Sequence, residues 1–257
     1  MHRVLIWLVA GIASCAVTML AFFPASWVAA VVEQQTAGRL TLGEAHGTLW
    51  RGSAFIGGAA SKHDPVTPLL PGRFSWRLSP LALLGMVDIE LANSESLTQT
   101  VHVTGNWKQW LVSPSALLLP AERLAALGAP MNTLQPSGVL RLSWQALQIS
   151  RQDTGIALTG PMKVDIDDIA SRISPVRPLG SYVLALDWHG KQATVTLSTG
   201  KGPLLLNGSG VIENMRLQFS GKAEAESGQE ERLANFLNLL GQRRREGNRD
   251  VIALEFK

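Results

Sequence analysis

Residues Val4–Phe23, VLIWLVAGIASCAVTMLAFF, form a run of 20 residues without a charged side chain. As an α-helix rising about 1.5 Å per residue, this run would reach roughly 30 Å, the thickness of the hydrocarbon core of a bilayer. A helix also satisfies its own backbone hydrogen bonds in lipid, which no other single segment does. The run therefore predicts one transmembrane anchor, and the rest of the chain is laid out from it.

Charge indicates the orientation of this anchor. Arg3 is the only charged side chain before Glu33, and basic residues next to a span tend to stay in the cytoplasm. The predicted segments are a cytoplasmic stub over 1–3, the anchor over 4–23, a stalk helix over 24–38 and an exported β-rich domain over 39–257. The residues expected to contact the lipid and its headgroups are apolar or aromatic: Leu5, Trp7, Phe22, Phe23 and Trp27.

The same run has two other interpretations. Val28-Ala29-Ala30 offers a small-residue cleavage site for a secretory signal, but the apolar run is longer than the core of about 7–15 residues in such signals. Ile12-Ala13-Ser14-Cys15 resembles a bacterial lipoprotein cleavage site, although cleavage there would leave the apolar Ala16–Phe23 directly behind the lipid. We favour a retained anchor over both.

Composition limits the chemistry of the exported region. Cys15, the only cysteine, lies within the predicted anchor, so the exported region has neither an intramolecular disulfide nor a cysteine metal site. With 23 Lys and Arg against 20 Asp and Glu, the charge is nearly balanced, unlike the basic footprint of a nucleic-acid-binding protein. The 24 Gly, 13 Pro and many short alternating runs indicate a β-rich domain.

Alternation with a period of two predicts most of the strands. In Gly72–Leu78 the apolar side chains fall on one face and the polar ones on the other. The pattern recurs in Val87–Leu91, Val101–Val103, Leu140–Ile149, Val164–Ile166, Tyr182–Trp188, Val195–Leu197, Met215–Ala225 and Ile252–Phe256. A shift of the apolar phase predicts a β-bulge near Gln145-Ala146. Short turns between the strands favour an antiparallel meander.

Two helices are predicted within this domain. Pro120–Gly128 begins with a proline suited to a first helical turn and ends with a glycine suited to a stop. Ser227 and Glu230 form a capping box before an apolar stripe over Leu233–Leu240, and Arg243–Arg245 would then follow the negative end of that helix. The predicted fold is mainly β: a single N-terminal transmembrane helix, then a curved, mostly antiparallel meander sheet with a short mid-chain helix and a C-terminal amphipathic helix.

No motif for catalysis, phosphate binding or metal binding is present in the sequence. The histidines are isolated from one another, which favours surface or strand roles over metal ligation. An EF-type loop starting at Asp165 would need Gly at 170 and Glu at 176, where the chain has Ala170 and Val176. We therefore predict no enzyme, no cofactor and no metal site.

Five residues are candidates for a contact surface. Trp107 and Trp110 lie three residues apart in an irregular segment, whereas Trp76, Trp144 and Trp188 occupy strand phases typical of a core. The other three candidates form the basic run Arg243, Arg244 and Arg245, which would suit an acidic partner or a lipid headgroup, although a solvated helix end is the simpler interpretation.

Several short motifs, in this order, resemble the type II secretion system protein N family. They are Gly47-Thr-Leu-Trp-Arg-Gly52, Trp76-Arg-Leu-Ser-Pro80, Pro178-Leu-Gly-Ser-Tyr182, Gly202-Pro-Leu-Leu-Leu-Asn-Gly208, Phe219-Ser-Gly-Lys-Ala223 and Leu233–Arg243. The resemblance implies a single-pass inner-membrane protein with a periplasmic β domain that helps export folded proteins. It implies other secretion components as partners and supplies no catalytic residue.

A second hypothesis is a binding module. The low-charge faces of the strands would also suit an apolar groove that holds lipid, similar to AsmA-like periplasmic proteins. A membrane-tethered hydrolase is a poor third because no nucleophile has an evident base.

Overall fold

A computed structural model of the chain describes residues 2–59, 65–128, 131–152, 155–214, 216–246 and 249–256, with only the backbone at 2–5, 127, 242, 243, 245, 246, 249, 250 and 256. The described strands form one sheet of 16 strands in which every pair is antiparallel. The mainly β class and the large antiparallel sheet predicted from the alternating pattern are therefore confirmed.

The strands follow one another in chain order. They are β1 (Leu40–Gly47), β2 (Arg51–Gly58), β3 (Thr67–Leu78), β4 (Met86–Ala92), β5 (Val101–Asn106), β6 (Gln109–Val112), β7 (Ser115–Pro120), β8 (Pro136–Trp144), β9 (Leu147–Gln152), β10 (Gly155–Ser171), β11 (Gly180–Gly190), β12 (Gln192–Lys201), β13 (Leu204–Glu213), β14 (Arg216–Ala225), β15 (Gln242–Glu246) and β16 (Arg249–Phe256). Neighbours in sequence pair with each other, with three exceptions. β6 pairs with β9 rather than with β7, β8 and β9 each pair with β10 rather than with each other, and β16 lies between β14 and β15.

The middle of the sheet contains one irregularity, where the long strand β10 changes its pairing partner. β9 pairs with the first part of β10 and β8 with the second part, and the register shifts by one residue between Trp144 and Gln148. The bulge predicted near Gln145-Ala146 is thus confirmed. β6 pairs with β9 and β7 with β8 in one continuous register, so the chain around Pro114 runs opposite the bulge at Gln145-Ala146.

Four α-helices and two 3₁₀ helices accompany the sheet in the described part of the chain. They are α1 (His2–Ala21), α2 (Ala25–Gln35), a 3₁₀ helix (Pro80–Leu84), a second 3₁₀ helix (Ala121–Leu127), α3 (Met131–Leu134) and α4 (Glu230–Leu240). The helix predicted over Pro120–Gly128 is therefore a 3₁₀ helix in this structure, with Pro120 outside it as the N-cap. Among the described residues, no helix combines the length and apolar character that a membrane crossing requires.

Two details at the C-terminus differ from the prediction. Helix α4 starts after Gln229 without a side-chain cap, because Gly228 adopts a left-handed φ of 87° and its N–H, not that of Ser227, donates to Glu230 Oε2. The arginines expected at the end of the helix lie on strand β15, because Gly241 continues in an extended conformation and turns the chain directly into a hairpin with β16. The prediction that Arg243–Arg245 lie at the negative end of this helix and complement its dipole is therefore wrong.

The core is formed where α4 packs on the C-terminal strands. Leu233, Phe236 and Leu237 of α4 are buried in one cluster with Val176, Leu179, Tyr182, Leu204, Ala223 and Ile252. The Tyr182 hydroxyl donates to the Leu204 carbonyl at 2.9 Å, so this buried polar atom is satisfied. Burial raises the pKa of Tyr182 far above its usual range, and the phenol stays neutral.

Candidate functional site

The first feature is the junction between the N-terminal helices and the sheet. The Trp50 indole N–H donates to the Leu20 carbonyl at 2.8 Å, and the Leu49 N–H donates to the Phe23 carbonyl at 2.8 Å. The Trp76 indole N–H in turn donates to the Leu49 carbonyl at 3.1 Å. The turn between β1 and β2 is therefore bonded both to the end of α1 and to the neighbouring strand β3.

Glycines explain why the sequence GTLWRG forms this turn. Gly47 has a φ of 88°, a left-handed conformation that glycine adopts at low cost. Gly52 lies under the indole of Trp76, where any Cβ would overlap the ring. The motifs at residues 47–52 and 76–80 are thus two sides of one contact, since Trp76 packs on Gly52 and Leu78 N–H donates to the Trp50 carbonyl at 2.8 Å.

The predicted anchor residues lie on both sides of this junction. The side chains of Trp7, Phe22 and Trp27 are 77%, 71% and 62% exposed. Phe23 is half-buried and its ring centroid lies 5.7 Å from that of Trp27. The side chain of Leu5 is outside the described part of the chain.

Helix α2 runs along the first edge of the sheet. Pro24 bridges to Thr48 at one end, and the Ala59 N–H donates to the Arg39 carbonyl just beyond the other. Ala25 is buried between helix and strand. An edge strand exposes unpaired backbone groups, and a covering helix protects it from pairing with other chains.

The strand ends near this junction form one row along the sheet, perpendicular to the edge strands β1 and β15. We call it the anchor-side edge; it contains the β1–β2 turn, the 3₁₀ helix Pro80–Leu84 and the start of β6, as the pairs Gly47–Gly52, Met86–Asn106 and Gln109–Ser150 show. The opposite ends of the strands form the far edge, where α4 packs.

Trp107 lies on the anchor-side edge and is 61% exposed. Its indole N–H donates to the Ala82 carbonyl at 2.9 Å, so the ring rests on the 3₁₀ helix Pro80–Leu84 with its polar atom satisfied. The exposed apolar side chains around it are Leu81, Leu83, Leu84 and Met86. We call these four and Trp107 the leucine–tryptophan patch. Trp107 was predicted from the sequence as a contact residue, but the leucines were not. Their signal in the sequence is an apolar run without alternation directly after Pro80.

Trp110 does not belong to this patch. It pairs with Gly105 on one side and Ile149 on the other, and its side chain is half-buried. The two tryptophans predicted to share a surface are therefore separated by the strand alternation: Trp107 is in the turn, and Trp110 is on a face of the sheet.

That face is apolar across almost the whole sheet. Directly opposed residues share a face, and the opposed pairs on this one include Trp76–Leu91, Leu91–Val101, Trp110–Ile149, Trp144–Met162, Gly160–Trp188, Trp188–Ala193, Val195–Gly210 and Gly210–Phe219. We call it the apolar face. Near the far edge α4 covers it. The Trp188 indole N–H is buried without a hydrogen-bond partner among the described protein atoms.

The basic run lies far from both tryptophans. Strand β15 is the last strand of the sheet, and seven strands separate it from β6. Arg244 forms an ion pair of 3.0 Å with Glu255 on β16, whereas the side chains of Arg243 and Arg245 are outside the described part. The predicted contact residues therefore do not form one surface.

Charged groups in the described chain form ion pairs rather than a reactive cluster. Asp168, at a bulge with a φ of 47°, accepts from Lys201 at 2.8 Å, and the lysine holds the pKa of this carboxyl below its usual value of 3.8. The same contact raises the pKa of Lys201. Asp165 pairs with Lys163 at 2.7 Å. Within the described ranges, no three His, Cys, Asp or Glu side chains are grouped as a metal ion needs.

These features define a class of protein: a large antiparallel sheet with one apolar face, bonded at one edge to a pair of N-terminal helices. The comparisons give the family. The chain belongs to the family described as type II secretion system (T2SS), protein N, whose model matches residues 38–251. The predicted resemblance is therefore confirmed over almost the whole β region. Comparison with curated proteins and with solved structures gave no match.

Proposed function

We propose that this protein is a non-enzymatic component of the type II secretion machinery, anchored in the inner membrane by residues 4–23 with its sheet in the periplasm. The membership of residues 38–251 in the protein N family carries this proposal. It supports a role in type II secretion with other secretion components as partners. The anchor rests on the uncharged run Val4–Phe23 and on the position of Arg3 before it.

The junction suits a protein that must hold a position in an envelope-spanning apparatus. Three hydrogen bonds of 2.8–3.1 Å join Leu20, Phe23 and the β1–β2 turn to the sheet. Because these bonds lie within a few residues of the end of α1, the sheet is attached directly to the helix rather than through a long linker. An anchored helix would therefore fix the location of the sheet next to the membrane.

The role in secretion is tested by export kinetics in the host. Deleting the gene should slow the appearance of secreted proteins outside the cell and lengthen their stay in the periplasm, and the full chain should restore the rate. Total synthesis of the secreted protein and leakage of a periplasmic marker are the controls. Export at the normal rate in the deletion strain would overturn the proposed role.

The anchor has a separate test. Membranes washed at alkaline pH should retain the full chain, and a reporter fused after residue 257 should be active only outside the cytoplasm. The first residue of the mature chain should be Met1 or His2. A mature chain that begins near Val31 and is found in the soluble envelope fraction would contradict the anchor and leave the family role to be tested alone.

A second candidate function is lipid binding on the apolar face. Two observations favour it: the apolar face continues from β3 to β14, and the buried Trp188 N–H has no partner among the described atoms. A buried donor without a partner costs free energy that a ligand oxygen would recover. A photo-crosslinking residue at Trp110 should capture lipid in the cell, whereas the same residue at its neighbour Leu111, on the other face, should not. Equal capture at both positions would contradict this candidate.

A further inference from the structure

The leucine–tryptophan patch is an exposed apolar cluster on the anchor-side edge of the sheet. Leu81, Leu83, Leu84, Met86 and Trp107 are 48–77% exposed. They are contiguous, because Trp107 N–H bonds to the Ala82 carbonyl and Met86 pairs with Asn106, the residue next to Trp107. Exposed clusters of this kind mark contacts with proteins or membranes.

The position of the patch indicates what it contacts. The 3₁₀ helix Pro80–Leu84 begins two residues after Leu78, whose N–H donates to the Trp50 carbonyl, and Trp50 is the residue that holds the end of α1. The patch and the end of α1 therefore lie at the same edge of the sheet, and both are close to the β1–β2 turn. If α1 is in a membrane, this edge is next to the membrane surface.

The charges of the edge fit that surface. Arg51, Lys108, Arg151, Lys191 and Arg216 lie in its connections or in the two terminal residues of its strands. Among the described residues at the same positions, the carboxylates are Glu213 and Glu255, and Glu255 forms an ion pair of 3.0 Å with Arg244. Asp88 and Asp187 lie further along their strands. Basic residues at a membrane surface attract anionic lipid headgroups, and leucine and tryptophan side chains enter the interface between headgroups and acyl chains.

We propose that the leucine–tryptophan patch inserts into the surface of an anionic phospholipid bilayer, so that the anchor-side edge of the sheet rests on the membrane beside the anchor. This proposal rests on the proposed membrane anchoring and adds a second contact to it. The patch fixes the tilt of the sheet, because one helix alone leaves the sheet free to rotate about the helix end. When the anchor-side edge rests on the membrane, the far edge and α4 lie away from the membrane.

The test places one environment-sensitive fluorophore on the full chain. Cys15 is replaced by Ala, and a single cysteine is introduced as Leu84→Cys or, as the matched control, as Leu239→Cys. Both leucines are highly exposed, at 77% and 67%, so neither substitution removes a core contact. Leu239 is on α4, which packs near the far edge. The labelled chains are reconstituted in vesicles of phosphatidylethanolamine and phosphatidylglycerol that contain lipids with a quencher near the headgroup.

The expected result is quenching at residue 84 that exceeds quenching at residue 239 by at least about two-fold. Vesicles of phosphatidylcholine should reduce the difference, because they lack the negative charge. Equal quenching at both residues, in a chain that resists an alkaline wash, would overturn the patch and leave the anchor intact. A chain that the wash removes, but that shows the difference at neutral pH, would overturn the anchor and support the patch. Absence of binding under both conditions would overturn both.

Discussion

Leucine side chains are buried in one region of this protein and exposed in another, as Leu233 and Leu84 show. Leu233, on α4, is 0% exposed and packs against the C-terminal strands, whereas Leu84, on the anchor-side edge, is 77% exposed. Near the far edge the chain provides its own cover for the apolar face. At the anchor-side edge, the described residues leave the patch exposed. Apolar surface in this protein therefore stabilises the fold in one region and is available for an external contact in the other.

The strongest test of this contrast is a pair of leucine substitutions within α4. Leu233→Ala should lower the free energy of unfolding by about 3 kcal/mol, because it removes a fully buried side chain and leaves a cavity. Leu239→Ala, on the exposed side of the same helix, should change it by less than about 0.5 kcal/mol. Urea unfolding of the full chain in detergent, followed by tryptophan fluorescence, measures both. Similar losses for the two variants would show that α4 does not cover a core.

The next effect concerns the close contact at the junction. Gly52→Ala should cost about 2 kcal/mol, because its Cβ would overlap the Trp76 ring and force the indole to move. Gly43→Ala, also in the N-terminal hairpin, meets only the Phe55 carbonyl oxygen at 3.9 Å and is the control. Near-ultraviolet circular dichroism should change in the first variant alone. An unchanged spectrum and midpoint for Gly52→Ala would contradict the packing of Trp76.

A smaller effect should separate the junction from the rest of the edge. Trp50→Phe keeps an aromatic ring but loses the hydrogen bond to the Leu20 carbonyl, worth about 1 kcal/mol. Amide hydrogen exchange around residues 48–51 should become about five-fold faster, while exchange in β11–β14 stays unchanged.

Trp107→Phe is the matched control for that substitution. It loses an equivalent bond to the Ala82 carbonyl, so any acceleration should be confined to the 3₁₀ helix Pro80–Leu84. If Trp50→Phe leaves exchange at the β1–β2 turn unchanged, the bond to α1 does not hold the junction.

The smallest expected effect is electrostatic and concerns the solvent-exposed ion pair of Asp168 and Lys201. Because the pKa of Asp168 is lowered, its contribution to stability is present above pH 3.8 and is lost as the pH falls through the lowered value. The pKa of Lys201 is raised, so its contribution is present below pH 10.5 and is lost as the pH rises through the raised value. In Lys201→Met, an NMR titration should show the Asp168 pKa moving back towards 3.8. An Asp168 pKa that stays low would assign the shift to another group.

The strands and their faces were predictable because half-buried strands alternate with a period of two. Trp76, Trp144 and Trp188 were placed in inward phases by this pattern, and the structure places them on one face. The bulge at Gln145-Ala146 was visible as a phase shift. Strand β15 was not predicted, because its arginines carry no alternation and a preceding helix made a basic helix end the simpler interpretation.

The candidate site was predicted only in part, since its members come together through the register of distant strands. Trp107 was recognised as an unusual tryptophan, but its partner, the Ala82 carbonyl, lies 25 residues away. Trp50 gave no sign of its bond to Leu20, 30 residues earlier. Contacts of this kind depend on which strands pair and at which ends, and alternation within one strand does not specify either.

The mainly β class and the uncharged N-terminal run follow from the order of residues alone, because periodicity and the absence of charge are properties of neighbouring residues. The sequence also carries the motifs of its family. The three-dimensional fold is needed to see that the end of α1, the leucines of the 3₁₀ helix and Trp107 share one edge, and that α4 covers the apolar face near the other. The physical reason is that an antiparallel meander returns every second connection to the same edge, and the pairing register then selects which side chains meet there.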